Sequence, residues 1–291
     1  MSSFLYELES LGIILVDRLQ PFHPTVRDRD DVSVLRDPLT EVIVLSGADH
    51  MSLEYYQQRE GSAGQLREGN LTTLPRLADN IRRAQDFGPI LRNRRWLDFG
   101  SGLGGMLDEM RGQAAWSAGL EPNRERAALA RQNGHTVFND LSEVDDGALD
   151  IVTMFHVLEH LTAPVDELVR VREHLRPGGR LLVEVPHARD ALFSLYDCEA
   201  FKQFTFWSEH LILHTRQSLA ILLEKAGFVD IEVSGFQRYP LANHLHWLAR
   251  GKPGGQEAWS LLNTAGLAAE YEAALSRVDR TDSLIALCRA P

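Results

Sequence analysis

From residue 71 onward, apolar runs alternate with segments of helical spacing, and this pattern predicts strands and helices in turn. Short apolar runs typical of buried strands cover residues 94–99, 115–121, 135–139, 148–156, 180–186, 229–235 and 282–288. Apolar residues at helical spacing predict helices over 71–87, 103–111, 123–132, 163–175 and 217–226. Strands and helices that alternate in this way indicate βαβ units and a parallel sheet with helices on both faces.

The first fifty residues have a different pattern. Two β-branched runs, 32–35 and 42–45, flank turn-forming residues, which predicts a β-hairpin. We therefore divide the chain into a β-rich appendage over 1–50, a lid or linker over 51–70 and an α/β domain over 71–291. Residues 187–214 and 238–280 interrupt the alternation near the sheet edge where ligands bind, so we expect them to be substrate-specific insertions.

Composition and charge narrow the class of protein. A hydrophobic content of 44% and a charged content of 24% are typical of a globular chain. The formal net charge of −11 disfavours a nucleic-acid partner and an anionic membrane surface. The two cysteines, Cys198 and Cys288, lie in no paired motif, which excludes a disulfide scaffold. The apolar run over 11–16 is too short for a signal peptide or a membrane span, so we expect a cytoplasmic protein.

The first strand of the α/β domain ends in a glycine-rich turn. Glycines at alternate positions, Gly100, Gly102 and Gly104, allow a sharp strand-to-helix turn and let a ligand approach the backbone. Asp98 at the end of the strand suits a cationic ammonium better than a pyrophosphate. Glu121 ends the next strand, where a carboxylate can bind a ribose diol.

The glycine turn, Glu121 and three later segments follow one another along the chain in an order that resembles class I S-adenosylmethionine-dependent methyltransferases. The resemblance runs from about residue 94 to the end of the chain and includes the D-x-G-x-G-x-G turn, the acid Glu121, and the segments 155–161, 175–180 and 226–228. It implies an enzyme with a Rossmann-like seven-stranded sheet, order 3-2-1-4-5-7-6, whose seventh strand is antiparallel. S-adenosylmethionine is then the cofactor. The residues expected to bind it are Asp98, Gly100, Gly102, Gly104, Glu121, Pro122, Asn139, Asp140, Phe155 and Tyr56.

The loop after the fourth strand bears on metal binding. Ubiquinone-type O-methyltransferases carry Glu-x-x-Glu-His at this position and bind a divalent metal, whereas this chain has His156, Glu159 and His160. Because His156 replaces the first acid, we predict no metal site. The alternative is a metal whose further ligand is His187, His210 or His214. In a third interpretation, Glu159 and His160 only pack the loop.

The insertion after the fifth strand supplies the catalytic candidates. Residues 204–215 resemble a segment of deoxysugar C-methyltransferases in which a Glu-His pair lies beside the sugar, and the match falls on Glu209 and His210. We expect His210, assisted by Glu209, to lie nearest the reacting atom, with His156 as a further candidate. The alternative is that the histidines of this segment only pack beneath the following helix. The hairpin over 34–46 looks like the zinc module of the same enzymes without its cysteines.

The second insertion allows two interpretations. Asn243, His244, His246 and Trp247 combine hydrogen-bonding and stacking groups that suit a sugar. Alternatively, the segment forms amphipathic helices that cover the sheet edge or build a homodimer. The sequence thus predicts methyl transfer to a small molecule, a sugar or sugar nucleotide of a surface glycan. The alternatives are a metal-assisted, quinone-type O-methyltransferase and a catalytically silent S-adenosylmethionine-binding partner subunit.

Overall fold

A seven-stranded sheet forms the centre of the molecule. The computed structural model describes residues 3–51, 55, 57, 78–145 and 147–291. The strands of this sheet are β4 (Arg95–Phe99), β5 (Trp116–Leu120), β6 (Val137–Phe138), β7 (Leu149–Phe155), β8 (Leu175–Pro186), β10 (Val229–Phe236) and β11 (Ser283–Arg289). Their order is β6-β5-β4-β7-β8-β11-β10, and β11 is antiparallel to both of its neighbours. The predicted strand order and the antiparallel last strand are confirmed.

The central strands are apolar on both faces, which explains why they occupy the middle of the sheet. Trp96, Leu97, Val152 and Val183 are fully buried. Helices pack on the strands: α2 (Ala78–Leu91), α3 (Gly105–Glu109), α4 (Arg124–Gln132), α5 (Pro164–His174) and α8 (Arg216–Lys225). Because parallel strands end at the same sheet edge, the polar residues that follow β4, β5, β7 and β8 lie in one region.

One predicted helix boundary is wrong. The helix predicted over 71–87 does not end at residue 87, because α2 continues to Leu91 with Pro89 inside its last turn. The carbonyl of Gly88 accepts a hydrogen bond from the Arg92 N–H at 3.0 Å, so the turn closes after the proline. Pro89 lacks an N–H and so removes one helical hydrogen bond, but burial of Leu91 favours the extra turn. Residues 71–77 of the predicted helix lie outside the described residues.

The N-terminal region forms a second, smaller sheet. It contains α1 (Ser3–Ser10), β1 (Gln20–His23), β2 (Val34–Arg36) and β3 (Ile43–Leu45), and β2 and β3 form the predicted hairpin. The fourth strand of this sheet is β9 (Ile212–Leu213), which pairs with β3 and belongs to the first insertion. The small sheet is therefore joined to the segment that carries His210. Most of the predicted lid over 51–70 lies outside the described residues.

Both insertions are largely helical. The first contains α6 (Ala191–Ser194) and α7 (Glu199–Thr205), and the second contains α9 (Leu241–Arg250), α10 (Gly255–Ala258) and α11 (Ala265–Arg277). The predicted sugar-contacting groups of α9 are all buried: Asn243, His244, His246 and Trp247. The Asn243 side chain accepts a hydrogen bond from the Gly254 N–H, and Trp247 packs against Phe201. These contacts favour the interpretation of covering helices. None of the helices in the described ranges is long and apolar enough to cross a membrane.

Candidate functional site

The turn between β4 and α3 presents an open backbone. Gly100, Gly102 and Gly104 have positive φ angles of 79°, 55° and 83°. A Cβ atom at Gly100 would lie 2.4 Å from Cγ2 of Val157, whereas a Cβ at Gly102 would meet nothing within 4 Å. The turn is thus closed against the β7 loop on one side and open on the other, where a ligand can reach the backbone.

The carboxylate of Glu121 joins the end of β5 to this turn. Its Oε2 accepts a hydrogen bond from the Gly102 N–H at 2.9 Å, and its Oε1 accepts one from the Asn123 N–H at 2.8 Å. The residue is 5% exposed, and burial raises its pKa. Two of the predicted cofactor-binding groups, the glycine turn and the acid of the second strand, are therefore in direct contact.

Asp98 is a buried carboxylate with little compensation. It is 4% exposed, and one oxygen accepts a hydrogen bond from the Thr153 hydroxyl at 2.7 Å. Burial raises the pKa of Asp98 to about 6, even though the hydrogen bond from Thr153 and the charge of Arg83 oppose this shift. A buried acid in such surroundings is stabilised by a cationic ligand.

The donors and acceptors around the turn fit S-adenosylmethionine. Asp98 matches an ammonium, Glu121 matches a diol, and Gly102 leaves room for a ligand at the backbone. The Ser101 hydroxyl is buried, faces Gly119 of β5, and has no hydrogen-bond partner among the described residues.

Two other predicted cofactor residues stabilise the protein locally. The Asn139 amide donates to the backbone carbonyl of Glu121 at 2.8 Å. Asp140 caps a short 3-10 turn by accepting a hydrogen bond from the Ser142 N–H, and it also pairs with Arg170. Both side chains thus shape the end of β6, whether or not they also contact a ligand.

The remaining predicted cofactor residues have different surroundings. Phe155, at the end of β7, stacks on Phe87 of α2 with ring centroids 5.9 Å apart. Pro122 is half-buried directly after Glu121. Tyr56 lies outside the described residues.

Four side chains from the β7 loop and the first insertion meet near the same sheet edge. His156 has a positive φ of 56°, and its Nδ1 lies 3.1 Å from Oε1 of Glu159. The rings of His160 and His210 meet edge to face, with centroids 4.9 Å apart. One ligand atom each from Glu159, His160 and His210 lies within 4.8 Å of the other two. These three are the residues that could hold a metal ion.

Glu159 and His210 differ in their charge at neutral pH. Glu159 is fully buried, and burial opposes its ionisation. The hydrogen bond to His156 and the charges of the neighbouring imidazoles together outweigh this effect, and the pKa of Glu159 falls to about 2. Burial lowers the pKa of His210 to about 3. At neutral pH the group therefore contains a carboxylate and a neutral His210 imidazole, both of which have lone pairs that can bind a metal.

The other predicted ligands and partners have further contacts of their own. His187 contacts the carbonyl of Thr281, and His214 contacts the Ser218 hydroxyl, both in buried positions. Glu209 is buried and accepts a hydrogen bond from the Tyr55 hydroxyl at 2.9 Å. Glu159 offers a carboxylate oxygen within 4.8 Å of a His210 ring nitrogen.

The aromatic residues before His210 do not form one wall. Trp207 contacts the His210 ring, with centroids 5.6 Å apart. Phe206 is buried against Phe22 and Phe193, away from this ring pair.

A buried ion cluster behind His156 was missed by sequence reasoning. Glu184 of β8 is fully buried and accepts hydrogen bonds from Arg82 and Arg83 of α2. His156 and Arg83 lower the pKa of Glu184 despite the opposing effect of burial. Arg238 donates to Nε2 of His156 at 2.9 Å. The signal was present in the sequence, since Glu184 is one charge inside an apolar strand and therefore needs a buried partner.

Comparisons with known proteins identify a family that this chain matches. Residues 68–233 match a family described as a methyltransferase domain. The chain is 30% identical over 154 residues to a tRNA U34 carboxymethyltransferase of Shewanella woodyi, which covers 48% of this chain and 46% of that protein. It is 25% identical over 168 residues to a ubiquinone biosynthesis O-methyltransferase of Aeromonas salmonicida, covering 53% of this chain and 70% of that protein.

Solved structures show the same fold. The structure of an S-adenosylmethionine-dependent methyltransferase from Archaeoglobus fulgidus superimposes with a TM-score of 0.54 at 18% identity, covering 79% of this chain and 100% of that one. The predicted Rossmann-like fold is confirmed. The chain spans about half the length of the curated carboxymethyltransferases that it matches.

Proposed function

Because this chain belongs to the methyltransferase-domain family, we propose that it transfers a methyl group from S-adenosylmethionine to a small hydroxylated acceptor, a sugar or sugar nucleotide. The predicted enzyme class, an S-adenosylmethionine-dependent methyltransferase, and its cofactor are confirmed by the family match and the fold. The acceptor and the roles of individual residues are our proposals.

The observation that supports binding of the cofactor is the presence of two buried carboxylates, Asp98 and Glu121, beside an open glycine turn. Asp98 binds the ammonium of the cofactor, and Glu121 binds the ribose diol while it holds Gly102. S-adenosylmethionine supplies an electrophilic methyl group on a sulfonium. The protein aligns the acceptor with that methyl group and accepts the acceptor's proton.

On the acceptor side, we assign His210 to the position nearest the reacting atom. Its support is its place among Glu159, His160 and Trp207 at the edge where β4 and β7 end. His156 orients Glu159, and Glu209 fixes the start of the His210 segment through Tyr55.

A sugar nucleotide is favoured by the surface beside His210. The guanidinium of Arg27 lies 4.7 Å from the centroid of the Trp207 ring and 5.5 Å from that of Phe204. An aromatic ring suits the apolar face of a sugar, and an exposed arginine beside it suits a diphosphate. The proposal of a sugar acceptor also rests on the resemblance of the hairpin over residues 34–46 to the zinc module of deoxysugar C-methyltransferases, without its cysteines.

A second candidate is a quinone-type O-methyltransferase. It is favoured by the pair Glu159-His160 and by the relative that is named as a ubiquinone biosynthesis O-methyltransferase. This alternative shares the cofactor site and differs in the acceptor.

Transfer of labelled methyl groups from S-adenosylmethionine tests both proposals. We expect label in nucleotide-linked sugars and no transfer by the Asp98→Asn variant. Label in catechol or quinol acceptors alone would select the second candidate. Cofactor binding without transfer to any acceptor in cell extract would instead favour the catalytically silent partner subunit.

A further inference from the structure

We propose that Glu159, His160 and His210 form a binding site for a divalent transition-metal ion such as Zn²⁺ or Mn²⁺. The proposal replaces the expectation of no metal, which rested on His156 standing where quinone-type enzymes have an acid. It concerns binding by these three side chains and does not depend on which acceptor is methylated.

The positions of the ligand atoms are the first argument. One atom from each of the three residues lies within 4.8 Å of the other two. Atoms bound to one zinc ion at about 2.0–2.2 Å in tetrahedral geometry are about 3.4 Å apart. Side-chain rotations that shorten the ligand–ligand separations by up to about 1.4 Å therefore bring all three within bonding distance of one ion.

The backbone holds the two ligand-bearing segments together. Glu159 and His160 belong to the short 3-10 turn Leu158–His160 after β7, and His210 comes from the insertion after β8. The Leu211 N–H donates to the carbonyl of Glu159 at 2.9 Å. Directly after His210, the chain enters β9, which is fixed in the small sheet by β3. The site is thus preorganised by main-chain contacts and not only by its side chains.

The environment of Glu159 is the second, independent argument. The side chain is fully buried, and its Oε2 has no hydrogen-bond partner within the described part of the chain. A buried carboxylate oxygen without a partner is costly, and a metal ion removes that cost. Its other oxygen, Oε1, lies 3.1 Å from Nδ1 of His156. His156 therefore serves as the outer partner that orients a ligating carboxylate, as is common around protein metal sites.

The donor set selects the kind of ion. Two imidazole nitrogens and one carboxylate oxygen suit Zn²⁺, Mn²⁺, Fe²⁺, Co²⁺ or Ni²⁺, whereas Mg²⁺ prefers oxygen ligands. Three protein ligands also leave positions open on the ion, as in catalytic rather than structural zinc sites. The Trp207 ring contacts the rings of both His160 and His210.

Metal binding to the full chain, freed of metal by a chelator, tests the site directly. Calorimetric titration should give one equivalent of Zn²⁺ or Mn²⁺ and no competition by Mg²⁺ at the same concentration. The variants Glu159→Gln and His210→Ala should weaken binding at least about tenfold. Co²⁺ should produce a visible absorption band in the wild type that is absent in His210→Ala.

A matched control is available at a distant imidazole–carboxylate pair. His135 lies 2.8 Å from Asp108, so His135→Ala removes a similar pair and should leave the stoichiometry unchanged. Circular dichroism checks folding, and His210→Asn replaces His210→Ala if the latter does not fold. Absence of stoichiometric binding by the wild type, or equal binding by the wild type and the folded His210 variant, would overturn the proposal. No acceptor is present in the assay, so an error in the proposed acceptor does not affect the result.

Discussion

At the scale of single residues, the buried acid Asp98 connects charge to cofactor binding. Burial raises its pKa to about 6, so at pH 5 most of the cofactor-free protein has a neutral Asp98. Only the ionised form attracts the ammonium of S-adenosylmethionine. We expect affinity for the cofactor to fall as the pH drops from 7 to 5, and calorimetry across this range measures it.

The Asp98→Asn variant separates this effect from other titrations. It lacks the charge at every pH, so it should bind weakly and show little pH dependence between pH 5 and 7. A wild type and variant with the same pH profile would mean that another group controls the affinity.

Glu121 has a double role, because its carboxylate supports the glycine turn and is available to a diol. Glu121→Ala should weaken S-adenosylmethionine binding by about 1.5–3 kcal/mol, the typical value for hydrogen bonds to a charged acceptor. Calorimetry at pH 7.5 measures the change. The control is Glu173→Ala, since Glu173 is an exposed acid on α5. Unchanged affinity in Glu121→Ala would contradict the assignment.

His210→Ala tests the acceptor side. Loss of a group that handles the acceptor's proton typically lowers kcat by about 10²–10⁴-fold. We expect a decrease of this order with nearly unchanged affinity for S-adenosylmethionine, because His210 lies outside the glycine turn. Steady-state kinetics and calorimetry give the two values. A stable and fully active variant would place the reacting group elsewhere, with His156 next to be examined.

The cofactor-binding residues and the residues around His210 differ in how far the sequence could predict them. Asp98, the glycines and Glu121 lie at strand ends, and neighbouring parallel strands bring such ends together in any sheet of this order. The approach of His210 to Glu159 depends on one main-chain hydrogen bond between segments 52 residues apart, Leu211 to Glu159. No local pattern encodes that contact.

At the scale of elements, the sequence predicts the helices and strands that have regular apolar spacing. The features that it does not predict are set by contacts between residues far apart in the chain. The hairpin was predicted from its two apolar runs, but its pairing with β9 was not, because a two-residue strand has no periodicity. α2 passes Pro89 because Leu91 is buried and because Arg82 and Arg83 fix the helix to Glu184.

The N-terminal hairpin depends on one buried acid. Asp37 is fully buried and accepts hydrogen bonds from the backbone N–H groups of Leu15, Leu39 and Thr40 and from Arg18. Asp37→Ala leaves these donors unsatisfied and should lower the free energy of unfolding by at least about 2 kcal/mol. Urea denaturation measures the loss.

The control for this change is Asp31→Ala. Asp31 pairs with Arg29, but 69% of its side chain is exposed, so its removal should leave the free energy of unfolding nearly unchanged. Equal stability of the two variants would show that the hairpin is held by other contacts.

At the scale of the whole molecule, the net charge of the chain helps to decide between a small-molecule acceptor and tRNA. The curated relatives include proteins named for tRNA, and this chain spans about half their length. Its own formal net charge is −11, from 41 acidic and 30 basic residues. The absence of a nucleic-acid partner, the homodimer and the cytoplasmic location stay predictions.

Binding to labelled tRNA, followed by fluorescence anisotropy, tests the prediction about nucleic acid. Proteins that bind nucleic acid mainly through phosphate contacts do so with non-specific Kd values of about 10⁻⁴–10⁻⁶ M and depend strongly on salt. A surface with a large acidic excess repels the phosphate backbone, so we expect no saturation below about 10 μM at 150 mM salt and only slight gain at 50 mM. Saturable binding below about 1 μM that weakens steeply with salt would contradict this. It would also move the acceptor from a small molecule to tRNA while leaving the cofactor site, with Asp98 and Glu121, as described.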